Sequence, residues 1–214
     1  MNDCKSIATA YLHAFEHLLA LVDLNAMGRV LEILRNARDD HATIYLCGNG
    51  GSAATASHWV NDLGKATKVN GHPAMRVMSL SDNVSWLTAL ANDEGYDRIF
   101  AGQLENFARP RDVLIVISAS GNSPNLLKAV EIAQSRGVTT VGLLGFDGGA
   151  LKERLDDYLW IPTEKGVYGL VESFHTLLCH ILTDCLARDL RMDQSGDHDR
   201  QRYELRNGRI PANS

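Results

Sequence analysis

Two segments of the sequence combine glycine with serine directly after an apolar run. The first, CGNGGS, spans residues 47–52, and the second, SASGNS, spans residues 118–123. Glycine lets the backbone turn tightly, and the first turn of a following helix presents unpaired amides with a partial positive charge. Such loops can bind a phosphate group without lysine or arginine. The alternative is an ordinary strand-to-helix turn with a serine N-cap. Because neither loop has the spacing of a dinucleotide or ATP motif, we do not expect those ligands.

A second set of residues could transfer protons or bind a metal ion. His58 and Asp62 are four residues apart, a spacing that places both on one face of a helix. Glu172 and His180 are about two turns apart on a later helix and can face one cavity. As alternatives, Asp62 would be a solvated helix residue, and His175 would be a core histidine.

The elements that position these residues follow from the hydrophobic periodicity. Apolar residues at helical spacing predict two helices between residues 4 and 38, before the first strand. Short apolar runs then alternate with helical segments. The predicted strands are 43–47, 76–80, 113–117, 140–144 and 157–161. One predicted helix begins at residue 52. The others span residues 83–91, about 96–107, 123–136 and about 168–187.

Continuous apolar strands separated by helices indicate a parallel sheet that is covered on both faces. We therefore predict an α/β fold, a three-layer αβα sandwich with a doubly wound, five-stranded parallel sheet preceded by two N-terminal helices. In such sheets ligands bind beyond the carboxyl ends of the strands, where both glycine-serine loops lie. Residues 1–190 are expected to form one domain. Residues 191–214 are polar and aperiodic, which predicts a mobile tail.

The composition excludes several classes of partner. The chain has 214 residues, 45% of them hydrophobic, and a formal net charge of -5. This charge offers no basic face for nucleic acid or for an anionic membrane. The first residues carry charges and histidines where a signal peptide would be apolar, and no apolar run approaches the length of a membrane helix. We therefore expect a cytoplasmic protein that binds a small molecule.

Five stretches of the sequence carry a family resemblance. They are GNGGSAATASHWVNDL, LANDEGYDRIF, DVLIVISASGNSPNLLKAV, GLLGFDGG and VESFHTLLCHIL. In order and spacing, over about residues 5–187, the chain resembles the SIS-domain phosphoheptose isomerases. The resemblance implies the SIS fold and an aldose-ketose isomerase that converts sedoheptulose 7-phosphate to a D-glycero-D-manno-heptose 7-phosphate through an enediol. It also implies a homotetramer with active sites between subunits.

The resemblance assigns substrate binding to particular positions of this sequence. They are Asn49, Gly50, Gly51, Ser52, Asn92, Asp93, Ser118, Ala119, Ser120 and Ser123, together with Asp62 and Glu172. Ala119 stands where the family often has threonine, which removes a hydroxyl group but keeps the backbone amide. Taken alone, the Asn92-Asp93 pair at a helix end is more typical of a turn.

The resemblance also implies one zinc ion per subunit, bound by His58, Asp62, Glu172 and His180. Asp62 stands where the family has glutamate, and Glu172 stands where it has glutamine. The family assigns the catalytic base to that glutamate and the acid to the last histidine, so Asp62, Glu172 and His180 are the catalytic candidates. We hypothesise that Glu172 has taken over part of the base role and that Asp62 serves mainly as a metal ligand.

Two alternative functions stay open from the sequence. One relative with the same fold is a non-enzymatic tetramer that binds a bacterial replication initiator protein, and it lacks a carboxylate at the position of Asp62. The combination of Asp62, Glu172 and His180 favours an enzyme. The second alternative is an isomerase for another sugar phosphate, because a phosphate-binding loop does not measure the length of the carbon chain.

The two N-terminal helices are predicted to mediate oligomerisation. An apolar stripe on the first helix supports this expectation. Its members are Ile7, Tyr11, Phe15, Leu18 and Leu19. The alternative is that this stripe packs against its own domain.

Overall fold

The computed structural model of the protein describes residues 2–195. The helices are α1 (Asn2–Leu19), α2 (Leu24–Asp39), α3 (Gly51–Ala66), α4 (Val84–Asp93), α5 (Ala101–Phe107), α6 (Pro124–Ser135), α7 (Gly149–Lys152) and α8 (Tyr168–Ser195). The strands are β1 (Thr43–Gly48), β2 (Arg76–Ser79), β3 (Val113–Ser118), β4 (Thr139–Leu144) and β5 (Asp157–Trp160). Residues 191–195 extend α8, and the rest of the predicted tail lies outside the described residues.

The five strands form one parallel sheet in the order β2-β1-β3-β4-β5. Strands β1 and β3 are neighbours, while the chain between them visits β2 on the far side of β1. This reversal of strand order opens a crevice at the carboxyl ends of β1 and β3, where both glycine-serine loops emerge. The predicted doubly wound, five-stranded sheet is confirmed.

Helices cover both faces of the sheet, which gives the three predicted layers. Because successive side chains of a strand point to opposite faces, each strand contributes to two cores. Ile44 and Leu46 of β1 pack with α2, α3 and α8. Tyr45 and Cys47 of the same strand pack with α4, α5 and α6 on the other face. The site residues of α3 and α8 therefore lie on the same side of the sheet.

Helix α8 is the longest element that is described, with 28 residues. Its part Tyr168–Arg191 is long and apolar enough, by length and composition, to cross a membrane, and 56% of the apolar window is buried inside the protein. No apolar segment of this length was expected from the sequence. Phe174, Leu178 and Leu182 are completely buried against the sheet. These contacts are those of a core helix in a folded domain.

The segment predicted as one helix around residues 96–107 is divided, so that prediction is wrong in detail. A 3-10 helix, Tyr96–Arg98, is followed by α5. Ile99 and Phe100 lie between them and are only 3% and 1% exposed. Consecutive side chains of a continuous α-helix point roughly 100° apart. The break lets both apolar side chains enter the core.

The first helix packs against its own domain through its carboxyl-terminal half only. The ring of Phe15 lies 4.4 Å from that of Phe174 on α8, and Leu18 is buried. Three other members of the predicted stripe, Ile7, Tyr11 and Leu19, are 63%, 40% and 47% exposed. The apolar stripe on α1 is therefore divided between an intramolecular contact and an exposed surface.

Candidate active site

The loop between β3 and α6 is held by backbone contacts on both sides. Gly121 has a φ of 63°, in the left-handed region, and a Cβ there would overlap the carbonyl group of Gly148. The Gly121 amide donates to the hydroxyl of Ser118 at 3.0 Å, and its carbonyl accepts a hydrogen bond from the Leu151 amide at 2.9 Å. This loop therefore has little freedom to change shape.

The same loop presents hydroxyl donors beside the start of a helix. Ser118 and Ser120 accept hydrogen bonds from the amides of Gly121 and Asn122, at 3.0 and 3.4 Å, so each keeps its own O–H for donation. Ser123 is the N-cap residue of α6, but its side chain makes no capping hydrogen bond. Its hydroxyl is therefore available to a ligand at the positive end of the helix.

A cavity of about 160 Å³ opens between the two loops. Its lining residues are Asn49, Ser52, Ile117, Ser118, Ala119, Ser120, Ser123, Leu126, Tyr168 and Glu172. The lining contains no lysine or arginine and has Glu172 as its one ionisable carboxyl group. Ligand pockets for drug-sized molecules usually measure about 300–1,000 Å³. This cavity is suited to a phosphate-sized group, with the rest of the ligand outside it.

The loop between β1 and α3 is in contact with a side chain from α8. Gly50, the N-cap residue of α3, has a φ of 55° and no side-chain cap. A Cβ added to Gly51 would overlap the carboxylate of Glu172. Among the described residues, Glu172 makes no ion pair and no side-chain hydrogen bond. Its carboxylate thus lies at the amino end of α3, where the partial positive charge of the helix attracts an anion.

Two residues that the sequence analysis missed hold the side chain of Asn49. The amides of Asn49 and Asn125 exchange hydrogen bonds at 3.0 and 2.8 Å. The Tyr96 hydroxyl donates to the same oxygen of Asn49 at 3.1 Å. Asn125 follows Ser123 by two residues, so a polar residue in the first turn of α6 was the available signal. Tyr96 gave no such signal.

Three of the predicted metal ligands converge between α3 and α8. The Nε2 atoms of His58 and His180 are 2.8 Å apart, and Asp62 Oδ2 lies 3.2 Å from the first and 3.6 Å from the second. The two helices are connected beside this cluster by a buried hydrogen bond from Trp59 Nε1 to Thr183 Oγ1, 3.1 Å long. That bond keeps the facing histidines in register.

The cluster of His58, Asp62 and His180 fits a divalent metal ion. Its ligand atoms all lie within 4.8 Å of one another. Two ligands at zinc distances from a tetrahedral ion are about 3.3 Å apart, and the observed separations of 2.8, 3.2 and 3.6 Å lie around that value. Two imidazoles and a carboxylate leave one coordination position open, as in catalytic zinc sites.

Glu172, the fourth predicted ligand, does not belong to this cluster. It precedes His180 by eight residues, which corresponds to about 12 Å along a helix. Its carboxylate instead lines the cavity with the serines of the β3–α6 loop. The structure therefore separates the two carboxylates: Asp62 contacts both histidines, and Glu172 contacts the glycine-rich loop.

The remaining predicted residues lie elsewhere. Asn92 and Asp93 are exposed at the end of α4, where the Asn92 amide donates to Asp93 at 2.7 Å, and neither lines the cavity. His175 is completely buried, and neither of its ring nitrogens has a hydrogen-bond partner among the described residues. Burial lowers the pKa of His175 to about 4, although the Leu144 backbone, which lies outside good hydrogen-bond geometry, partly opposes this shift. The alternative that His175 is a core histidine is confirmed.

Comparisons with known proteins agree on one family. The model of the SIS domain matches residues 10–145. A phosphoheptose isomerase of Helicobacter pylori strain Shi470 is 41% identical over 158 residues, which cover 74% of this chain and 81% of that protein. The structure of phosphoheptose isomerase GmhA from Neisseria gonorrhoeae superimposes with a TM-score of 0.77 at 29% identity, covering 86% of this chain and 97% of that one. The corresponding enzyme of Francisella tularensis gives a TM-score of 0.76 at 27% identity, with coverages of 87% and 97%.

Proposed function

We infer the function of this chain from its membership of the SIS domain family and, within that family, of the phosphoheptose isomerases. The protein is an aldose-ketose isomerase that acts on sedoheptulose 7-phosphate and forms a D-glycero-D-manno-heptose 7-phosphate. The observation that carries this proposal is the pairing of a hydroxyl-lined cavity, at the carboxyl ends of β1 and β3, with a cluster of two histidines and a carboxylate between α3 and α8.

The cavity supports phosphate binding through neutral donors. We propose that Ser118, Ser120 and Ser123 bind the phosphate oxygens together with the amide of Ala119. Ser52 and the backbone of Gly50 and Gly51 contribute from the facing loop. Because phosphate is bound at the amino end of α6, the helix supplies the positive potential that arginine or lysine would otherwise provide. Asn92 and Asp93 are proposed to contact the exposed part of the substrate.

The reaction moves a proton between C1 and C2 of the sugar through an enediol. It needs a base for the carbon-bound proton, an acid for the oxygen, and a group that polarises the carbonyl. We propose Glu172 as the main base, because its carboxylate lines the cavity and makes no ion pair with a described residue. His180 is the proposed acid, and Nδ1 of its half-exposed imidazole is the proposed donor because its Nε2 atom faces His58 and Asp62.

Asp62 is proposed to act mainly as a metal ligand, because its Oδ2 atom contacts both histidines. His58, Asp62 and His180 would hold one zinc ion per subunit, which leaves one coordination position open. A bound zinc ion would polarise the substrate carbonyl as a Lewis acid. The residues of this chain would orient the sugar and transfer the protons.

We propose that the chain is a cytoplasmic homotetramer with active sites between subunits. The exposed Ile7 and Leu12 on α1 support an intermolecular contact, because large apolar side chains seldom cluster on a monomer surface. Sedimentation of the full chain tests this proposal. A fully active monomer would contradict it.

The central experiment is incubation of the purified full chain with sedoheptulose 7-phosphate, with zinc or with a chelator, followed by detection of the aldose. We expect turnover with zinc and its loss in the chelator. His180→Ala serves as the matched inactive protein. Turnover of a shorter sugar phosphate but not of the heptulose would assign another substrate, and binding to a replication initiator protein without any turnover would assign the non-enzymatic function.

A further inference from the structure

The side chain of Asn49 is held in one orientation by two residues outside the predicted site. Its amide N–H donates to Asn125 Oδ1 at 3.0 Å, and its carbonyl oxygen accepts from Asn125 Nδ2 at 2.8 Å. The Tyr96 hydroxyl donates to that same oxygen at 3.1 Å. Three hydrogen bonds from two different elements thus converge on one amide.

Asn125 is buried in a position where its side chain bonds to Asn49. It lies in the first turn of α6, directly after Pro124, and is only 1% exposed. Burying a side-chain amide without hydrogen-bond partners costs roughly 1–3 kcal/mol of folding free energy. A buried asparagine is therefore expected to make hydrogen bonds. Among the described residues, both side-chain hydrogen bonds of Asn125 join it to Asn49. The pair spans the crevice between the carboxyl ends of β1 and β3.

The three hydrogen bonds determine what Asn49 can offer to a ligand. A carbonyl oxygen has two lone pairs, and both are used by Asn125 and Tyr96. The amide nitrogen has two hydrogens, and one of them is used. Asn49 therefore has one N–H left, and its side chain lines the cavity across from the serines of the β3–α6 loop.

We propose that Asn125 is a positioning residue that makes Asn49 a hydrogen-bond donor to an oxygen of the sugar, a hydroxyl or carbonyl group next to the phosphate. This inference rests on the proposed sugar-phosphate substrate. The phosphate itself is bound by Ser118, Ser120 and Ser123, which lie on the other wall. Asn125 acts only through Asn49 and touches no part of the ligand.

The test is a double-mutant cycle of Asn125→Leu and Asn49→Ala in the full chain. Binding of sedoheptulose 7-phosphate and of inorganic phosphate is measured by calorimetry, and turnover is measured in parallel. Asn125→Leu should weaken sugar-phosphate binding and lower kcat/KM by about tenfold, the value of one lost hydrogen bond. Binding of inorganic phosphate should change less than about twofold by the same scale. In the Asn49→Ala background, Asn125→Leu should have no further effect on either ligand.

A matched control separates positioning from stability. Gln103 is another buried side-chain amide, 2% exposed, that donates to the carbonyl groups of Leu80 and Ile99 away from the cavity. Gln103→Leu should lower the melting temperature at least as much as Asn125→Leu and leave kcat/KM unchanged. Tyr96→Phe should change sugar-phosphate binding in the same direction as Asn125→Leu, but less.

Two outcomes would overturn the inference. Additive effects of Asn49→Ala and Asn125→Leu would mean that Asn125 acts independently of Asn49. Equal weakening of inorganic phosphate and sugar phosphate would mean that Asn125→Leu merely loosens α6. Failure of the proposed isomerase function gives a different result. The unmodified chain would then bind the sugar phosphate without turnover, while the effects of Asn49→Ala and Asn125→Leu on binding would still be non-additive.

Discussion

The loops after β1 and β3 have the same design in the sequence and different supports in the structure. The β3–α6 loop is fixed mainly by the backbone around α7: Gly121 lies against the Gly148 carbonyl and accepts a hydrogen bond from the Leu151 amide, and the Asn122 side chain accepts one from the Ala150 amide. The β1–α3 loop is contacted by side chains from other elements. Asn125 bonds to its first asparagine, and Glu172 lies against Gly51.

The two loops are therefore suited to bind two different parts of one ligand, the phosphate and the sugar. Phosphate is the constant part of a sugar phosphate, so a rigid backbone loop with hydroxyl donors is sufficient to bind it. The sugar and its protons require side chains that can be exchanged. The two expected departures that change a carboxylate, Asp62 and Glu172, lie on α3 and α8, on the side of the β1–α3 loop. The third expected departure, Ala119, lies in the β3–α6 loop and removes a hydroxyl group while keeping the backbone amide.

The largest expected effect is that of Gly121→Ala. A left-handed alanine that overlaps a fixed carbonyl group should lower the free energy of unfolding by about 4 kcal/mol, the sum of strain and overpacking. Gly50→Ala is the matched control, because Gly50 has a φ of 55° but no atom within 4 Å of an added Cβ. Its loss should be about 1–2 kcal/mol, from strain alone. Equal losses in urea denaturation would show that the β3–α6 loop is not braced more firmly.

The next effect concerns Glu172→Gln, which should lower kcat by at least about 10²-fold through loss of the base. Zinc content should stay unchanged, because Glu172 lies outside the cluster of His58, Asp62 and His180. Binding of inorganic phosphate should be no weaker, since a negative charge leaves the cavity. Asp62→Asn should instead lower zinc content. If Glu172→Gln stays active while Asp62→Asn is inactive at full zinc occupancy, Asp62 is the base.

A smaller effect is expected when hydroxyl groups are removed from the rigid loop. Ser120→Ala with Ser123→Ala should weaken binding of inorganic phosphate and raise KM by about 10- to 100-fold, because two hydrogen bonds of roughly 1 kcal/mol each are lost. The melting temperature should hardly change. Ser135→Ala, at the far end of α6, removes a hydroxyl that bonds only to a local carbonyl and should change neither quantity. Unchanged phosphate affinity in the double variant would mean that this loop is not the phosphate site.

The smallest and most selective effect is that of Gly51→Ala. Its Cβ would meet the flexible end of Glu172, so the carboxylate should shift while the backbone stays in place. We expect kcat to fall by about tenfold, less than in Glu172→Gln, because a misplaced base is retained. Gly64→Ala in the same helix meets only Val77 at 3.4 Å and serves as the control. Both variants should be at least as stable as the unmodified chain, since alanine favours helix. Full activity of Gly51→Ala would remove Glu172 from the reaction.

Most of the fold could be predicted because each strand is a continuous apolar run between helices. The prediction of one helix around residues 96–107 failed because Ile99 and Phe100 are compatible with a continuous helix. Their burial depends on tertiary packing, which the local sequence does not specify. Of the site, the two glycine-serine loops followed from residue type and spacing, whereas the pairing of His58 with His180 followed from the family resemblance. The Asn49–Asn125 pair did not, because it joins loops 76 residues apart in the chain. The separation of Glu172 from His180 depends on how α3 packs against α8, which periodicity does not specify.

The buried imidazole of His175 makes the stability of the folded state depend on pH. Unfolded, this side chain takes up a proton near its ordinary pKa of 6.5, whereas inside the domain it stays neutral until about pH 4. Between these values the unfolded chain binds more protons, so the folded state loses stability as the pH falls through that window. Above pH 6.5 the residue is neutral in both states and costs nothing. The full difference amounts to about 3 kcal/mol, a substantial part of the stability of an ordinary domain. One core side chain thus makes the stability of the folded domain depend on pH.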